Sequence, residues 1–178
     1  MKKNYYLLSL IVLLGTSLSV TSCKKDDDPV EDPVPEEYVA NNDSFKDIMT
    51  WTLGAEPTGI DPALGEAHAG NDSTVTRSIY FKDNAKPVNG SYPVGTVVVK
   101  HSHNPAGTVN MYTAMVKRGN NYDSANGDWE YFMLAGDGQI GMDNGMEMRG
   151  DGATMMNGMC LMCHSGAAST RDYIFTSR

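Results

Sequence analysis

Residues 89–103 read "NGSYPVGTVVVKHSH". Asn89-Gly90 and Pro93-Val94-Gly95 are turn formers, and Thr96 to Val99 is a β-branched run suited to a pleated strand. Alternation puts Thr96, Val98 and Lys100 on one face and Val97, Val99 and His101 on the other. The same rhythm continues on both sides. "STVTRSIYFKD" (73–83), "VNMYTAMVKRGNNYD" (109–123) and "GDWEYFMLAGDG" (127–138) each read as a strand closed by Gly, Asn or Asp. Turn signals at such short intervals point to an antiparallel sheet rather than βαβ units. Helix signals are fewer. "SFKDIMTWTLG" (44–54) reads as a helix capped by Ser44 and ended by Gly54, and a short helix is expected just before Cys160. "RDYIFTSR" (171–178) reads as a closing strand, and "GEAHAGND" (65–72) as a loop that gives its His68 no clear role. The expected fold is α+β, mainly antiparallel β-sheet with a few short helices and no internal repeat.

The N-terminus addresses the compartment. "MKKNYYLLSLIVLLGTSLSVTSC" has the charged, apolar, small-residue order of an export leader, and its apolar run is short for a membrane span. "VTSC" resembles a bacterial lipobox, which predicts cleavage after residue 22 and lipidation of Cys23. The following residues, 23–41, are acidic, proline-rich and nearly free of core side chains, so they read as a disordered tether. The globular domain is expected over 42–178. Together these place the protein outside the cytoplasm on a lipid anchor, on the periplasmic side or the cell surface, with the outer membrane favoured. Loss of Lys2 and Lys3 with the leader takes the formal charge from −8 to −10. That acidic balance argues against a nucleic-acid partner.

Two of the three cysteines lie in "NGMCLMCHSGAASTRDYIFTSR" (157–178). Cys160-x-x-Cys163-His164 has the spacing of a c-type haem attachment site. Two thiols add to the two vinyl groups on one porphyrin edge, and the adjacent imidazole reaches the iron. Zinc would need a fourth ligand, and no further cysteine is available. A disulfide or redox pair is the other alternative.

Five blocks in one order narrow the reading: "TRSIYFKD", "YPVGTVVVK", "YTAMVKRG", "GDWEYFML" and "MCLMCHSGAASTRDYIFT". A sheet-rich chain with its haem motif at the far end resembles the cytochrome P-460 family and its relatives, the β-type cytochromes c′. The resemblance implies one covalent haem c, His164 as the axial iron ligand and an opposite iron face open to a small nitrogen species. It implies hydroxylamine or nitric oxide as that species, a redox partner protein and a possible homodimer. It also implies a bond between Lys100 and the porphyrin edge, for which the alternative is a strand-end lysine reaching solvent. Arg77 matches the family's distal arginine, and its same-face neighbours Ile79 and Phe81 favour a pocket over the surface. Thr113 stands where hydroxylamine-oxidising members carry a carboxylate, and a threonine hydroxyl is a poor base. The alternative function is therefore a non-catalytic haem module that transfers electrons or binds nitric oxide. A haem-free surface domain with a Cys160–Cys163 disulfide is the third.

The segment 141–163 is rich in methionine, which suits flexible apolar packing around a porphyrin better than a copper site. His101 and His103 share a strand face and read as a polar strand end or a metal pair. Trp129 and Phe132 read as core.

Overall fold

The computed structural model describes residues 36–62 and 71–178, all of which fall in one compact unit. The leader, Cys23, most of the acidic tether and His68 lie outside the described residues. The fold starts earlier than residue 42: the Tyr38 amide donates to Arg118 O at 2.9 Å, and Ala40 is buried in the core.

The centre is a six-stranded antiparallel sheet in the order β1-β2-β3-β4-β5-β8. Its strands are β1 (Thr52–Ala55), β2 (Thr76–Phe81), β3 (Val97–His103), β4 (Asn110–Lys117), β5 (Trp129–Leu134) and β8 (Arg149–Asp151). A two-stranded hairpin of β6 (Met142–Asp143) and β7 (Met146–Glu147) interrupts the last step. β2 to β5 lie where the alternating segments predicted them, and neighbouring strands pair in sequence order, as short turns dictate. β1 and the short strands after β5 carry too few residues to show a pattern.

Each sheet face has its own cover. On one face Val97, Val99, Ala114, Val116 and Phe132 meet the N-terminal segment, and Phe45 packs edge-on to Phe132 at 5.2 Å between ring centroids. On the other face Phe81, Val98, Met115, Trp129 and Tyr131 meet Met155 and Ile174 from the C-terminal segment. Trp129 and Phe132 are core residues, fully buried on opposite faces of one strand.

The helix expected over 44–54 is replaced by two 3-10 turns, Asn42–Phe45 and Ile48–Thr50, followed directly by β1. Asn41, not Ser44, is the cap: Asn41 Oδ1 accepts the Asp43 amide at 2.9 Å, and Ser44 Oγ returns the favour to the Asn41 amide at 3.1 Å. Asp47 is left-handed (φ 56°), which stops any longer helix. The segment is a strap that needs only Phe45 and Ile48 pointing inward, and a single α-helix would forfeit the pairing of Thr52 with Phe81.

The closing strand expected over 171–178 is absent. The cysteine motif does sit on a short helix, α1 (Met159–His164), and a second turn of helix, α2 (Ala168–Arg171), follows it. Asp172 and Tyr173 then reverse the chain in consecutive left-handed conformations, φ 46° and 68°. The tail's polar groups bond back to the sheet end and to α1, so no ladder forms.

Candidate functional site

Cys160, Cys163 and His164 are spaced i, i+3, i+4 on α1, the spacing that puts side chains on one helix face. Gly158 caps the start of the helix, and its φ of 82° and close approach to Ala153 O suit glycine there. That shared face looks into a cavity of about 420 Å³ between the C-terminal segment and the sheet. The sheet brings Arg77, Lys100 and Thr113 to the same cavity. Register explains the grouping: Lys100 lies between Ile79 on β2 and Thr113 on β4, and Arg77 is two residues from Ile79 on the same face. Arg77, Lys100, Thr113, Cys160, Cys163 and His164, the residues singled out for a haem site, therefore line one space. Met155, Met156 and Met159 line it as well, so part of the methionine-rich stretch is cavity wall. Met142 and Met146, on the β6–β7 hairpin, are exposed instead.

His164 is held in one tautomer. Its Nδ1 lies 2.7 Å from Tyr173 O, and a carbonyl only accepts, so Nδ1 carries the proton and Nε2 is the ring nitrogen with the chemistry of an iron ligand. The ring is wedged edge-on between Tyr131 (5.5 Å) and Phe175 (5.6 Å). Burial holds its pKa below the ordinary histidine value against the opposing pull of the Tyr173 carbonyl, which keeps the ring neutral. Cys160 and Cys163 are free thiols. Burial pushes Cys160 upward, so at neutral pH it carries its proton.

Lys100 is not at a strand end, because β3 continues to His103. Burial and then the Arg77 guanidinium hold its amine down at about 7, with Cys160 and Cys163 acting in the opposite sense. Much of it is a neutral nucleophile at neutral pH. The unfolded chain, with its lysine near 10.5, holds one more proton across that interval. Stability of the haem-free protein should therefore rise with pH between about 7 and 10.5, and Lys100→Met should flatten the rise. Urea denaturation across that range measures it; an equal slope in the variant would show that Lys100 is solvated.

Arg77 is 4% exposed. Its Nη2 donates to Gly59 O at 2.6 Å, and its backbone amide donates to Pro57 O at 2.9 Å. Its Nη1 is buried without a hydrogen-bond partner. Tyr131, another cavity residue, likewise has a buried and unpartnered hydroxyl, and burial raises its pKa. Donors so placed are costly unless a bound group satisfies them.

Sequence reasoning passed over Tyr131 and Asp61. Asp61 is the one carboxylate that lines the cavity among the described residues. No spacing rule points to it, because its place is a tertiary result. Thr58 bridges to Thr76, the Gly59 amide donates to Val75 O at 2.9 Å, and the Asn71 side chain clasps both backbone polar groups of Asp61 at 2.9 Å. These bonds lay residues 58–61 along β2, beside Arg77.

His101 and His103 share a face, as expected, but His101 is buried, not a surface residue. It stacks on Tyr112 at 4.0 Å and on His103 at 4.5 Å, and its Nε2–H donates to Asn110 Oδ1 at 2.8 Å. The pair lies on the sheet face opposite the cavity, and no group of three or more metal-ligating side chains forms there among the described residues.

An apolar slot with two thiols and a tautomer-fixed imidazole on one wall, and unpartnered buried donors on the facing sheet, fits a haem. The matching comparison agrees. The model of the family Cytochrome P-460 matches residues 62–176, and the chain belongs to that family. No curated protein and no solved structure matches it. Family membership makes this a haem-binding cytochrome, with iron as its metal.

Proposed function

We propose that the protein is an exported, lipid-anchored cytochrome with one covalent haem c, which binds a small nitrogen ligand and oxidises hydroxylamine. The observation that carries this reading is the single cavity shared by the two thiols, His164, Lys100, Arg77 and Asp61. When bound, the haem iron supplies a coordination position for the nitrogen ligand and takes up electrons one at a time.

Cys160 and Cys163 would hold the group through thioethers, each formed by addition of S–H across a vinyl C=C with no net gain or loss of electrons. His164 offers Nε2 to the iron while the Tyr173 carbonyl fixes its orientation. Lys100, with its amine held down at about 7, would offer Nζ to the porphyrin edge. Such a bond would replace one N–H and one C–H, so its formation would pass two electrons and two protons to an oxidant such as peroxide. Arg77 keeps one donor for the oxygen of a bound ligand.

Hydroxylamine gives up a proton with each electron withdrawn, so a nearby base is required. Thr113 does not supply one, and Asp61 does. The electrons leave to a redox partner protein. Export and lipidation rest on the residue order of 1–23. A carrier of electrons or a binder of nitric oxide is the second reading, favoured by Thr113 beside Lys100.

The test is the absorption spectrum of the matured protein with its intact mass. A red-shifted haem band that reverts in Lys100→Ala, with the mass change of one lost bond, is the expected result. An identical spectrum in the variant would remove the Lys100 bond from the account. A wild-type protein that binds nitric oxide but never turns over hydroxylamine would select the second reading.

A further inference from the structure

The Asp172 carboxylate is buried at the end of the sheet, two residues before Ile174 of the cavity wall. Four groups donate to it. Lys117 Nζ reaches both oxygens at 2.9 Å, the Tyr92 amide reaches Oδ2 at 2.7 Å, Ser91 Oγ reaches it at 3.0 Å, and Trp129 Nε1 reaches Oδ1 at 3.3 Å. The Lys117 ammonium also stands 5.0 Å above the Trp129 ring centre. These groups come from β4, β5 and the turn before β3, so Asp172 is tied to the rigid part of the fold.

The backbone at this point is unusual. Asp172 and Tyr173 are both left-handed and neither is glycine. Such conformations persist where the surroundings over-determine them, and they concentrate at functional sites. Here they turn the chain so that the Tyr173 carbonyl faces back onto His164 Nδ1 at 2.7 Å. The Tyr173 amide is spent on Ala167 O at 3.3 Å, which closes the loop from α1 to the tail.

We infer that the Lys117–Asp172 pair is a positioning device for the axial histidine: it pins the Tyr173 carbonyl on His164 Nδ1 and so sets the donor strength of Nε2. The inference rests on the reading of His164 as the iron ligand. A firm Nδ1–H···O=C bond makes the imidazole a stronger donor and favours ferric iron. Loosening the clamp weakens that bond, so the reduction potential of the iron rises. Asp172 and Lys117 touch neither ligand nor iron; they act through Tyr173.

Asp172→Asn keeps the shape of the side chain and removes its charge. Lys117→Met combined with Asp172→Asn also removes the stranded ammonium and gives a second route to a folded protein. Glu130→Gln is the control, because it weakens a buried ion pair on the opposite sheet face, away from Tyr173. In haem-loaded protein, both clamp variants should move the reduction potential upward, and the control should leave it in place. In haem-free protein carrying ¹⁵N-histidine, the Nδ1–H form of His164 should dominate in the wild type and lose that dominance in the clamp variants. Folded clamp variants with an unmoved potential, or with an unmoved tautomer, would overturn the inference whatever their stability. If the wild type takes up no haem, the proposed function fails while the tautomer measurement still decides whether the clamp exists.

Discussion

Asp61→Asn should slow hydroxylamine turnover by about 10²–10⁴-fold while the affinity of the haem for nitric oxide stays close to wild type. The substitution is nearly isosteric, and backbone bonds together with the Asn71 side chain tie residues 58–61 to β2 and to each other. What disappears is the carboxylate that lines the cavity. Binding of nitric oxide requires no proton transfer, whereas each electron taken from hydroxylamine does. Steady-state oxidation with an added one-electron acceptor, paired with a nitric oxide titration, separates the two effects. Full turnover in Asp61→Asn would return the base to some other group and leave Asp61 a lining residue. Thr113→Ala should change turnover far less than Asp61→Asn, since its hydroxyl is a poor proton acceptor.

Glu130→Ala should cost about 1.5–3 kcal/mol of stability, because it removes a buried carboxylate that accepts hydrogen bonds from two partly buried guanidinium groups. Glu130 is 2% exposed. Arg149 grips it with two bonds, Nε to Oε1 at 2.7 Å and Nη2 to Oε2 at 2.9 Å, and Arg118 approaches Oε1 at 3.4 Å. Arg149 also donates to Ala40 O at 2.8 Å and lies over the Phe132 ring, so the pair fastens the N-terminal strap to β5 and β8. β8 leads directly into the segment that carries α1. The loss should therefore appear in denaturant unfolding and in a lower yield of matured haem protein. Glu130→Gln keeps part of the hydrogen bonding and should lose less. A Glu130→Ala protein as stable as wild type would mean that the two guanidinium groups are solvated without it.

What the sequence disclosed follows from how local each feature is. Strands β2 to β5 are long enough for period-two patterning to show, and their register then fixes Arg77, Lys100 and Thr113 on one face. The haem motif is local too, since three residues on one helix face carry it. The features that were hidden arise from long-range contacts. Asp61 reaches the cavity because residue 58 is bridged to β2, and the tail forms no strand because Asp172 is drawn to Lys117 and Tyr92 at the sheet end. His101 looks like a surface residue on a strand end until Tyr112 is found stacked over it from the next strand. Ser44 carries the residue type of a cap, yet Asn41 takes that position because Phe45 and Ile48 must both reach the core.

The intact mass of the matured protein after denaturation decides whether Cys160 and Cys163 carry a haem. A chain carrying the added mass of one haem, retained through the denaturing step, is the predicted result. A chain at its bare mass, from protein matured alongside a c-type cytochrome that did acquire its haem, would contradict covalent attachment at Cys160 and Cys163.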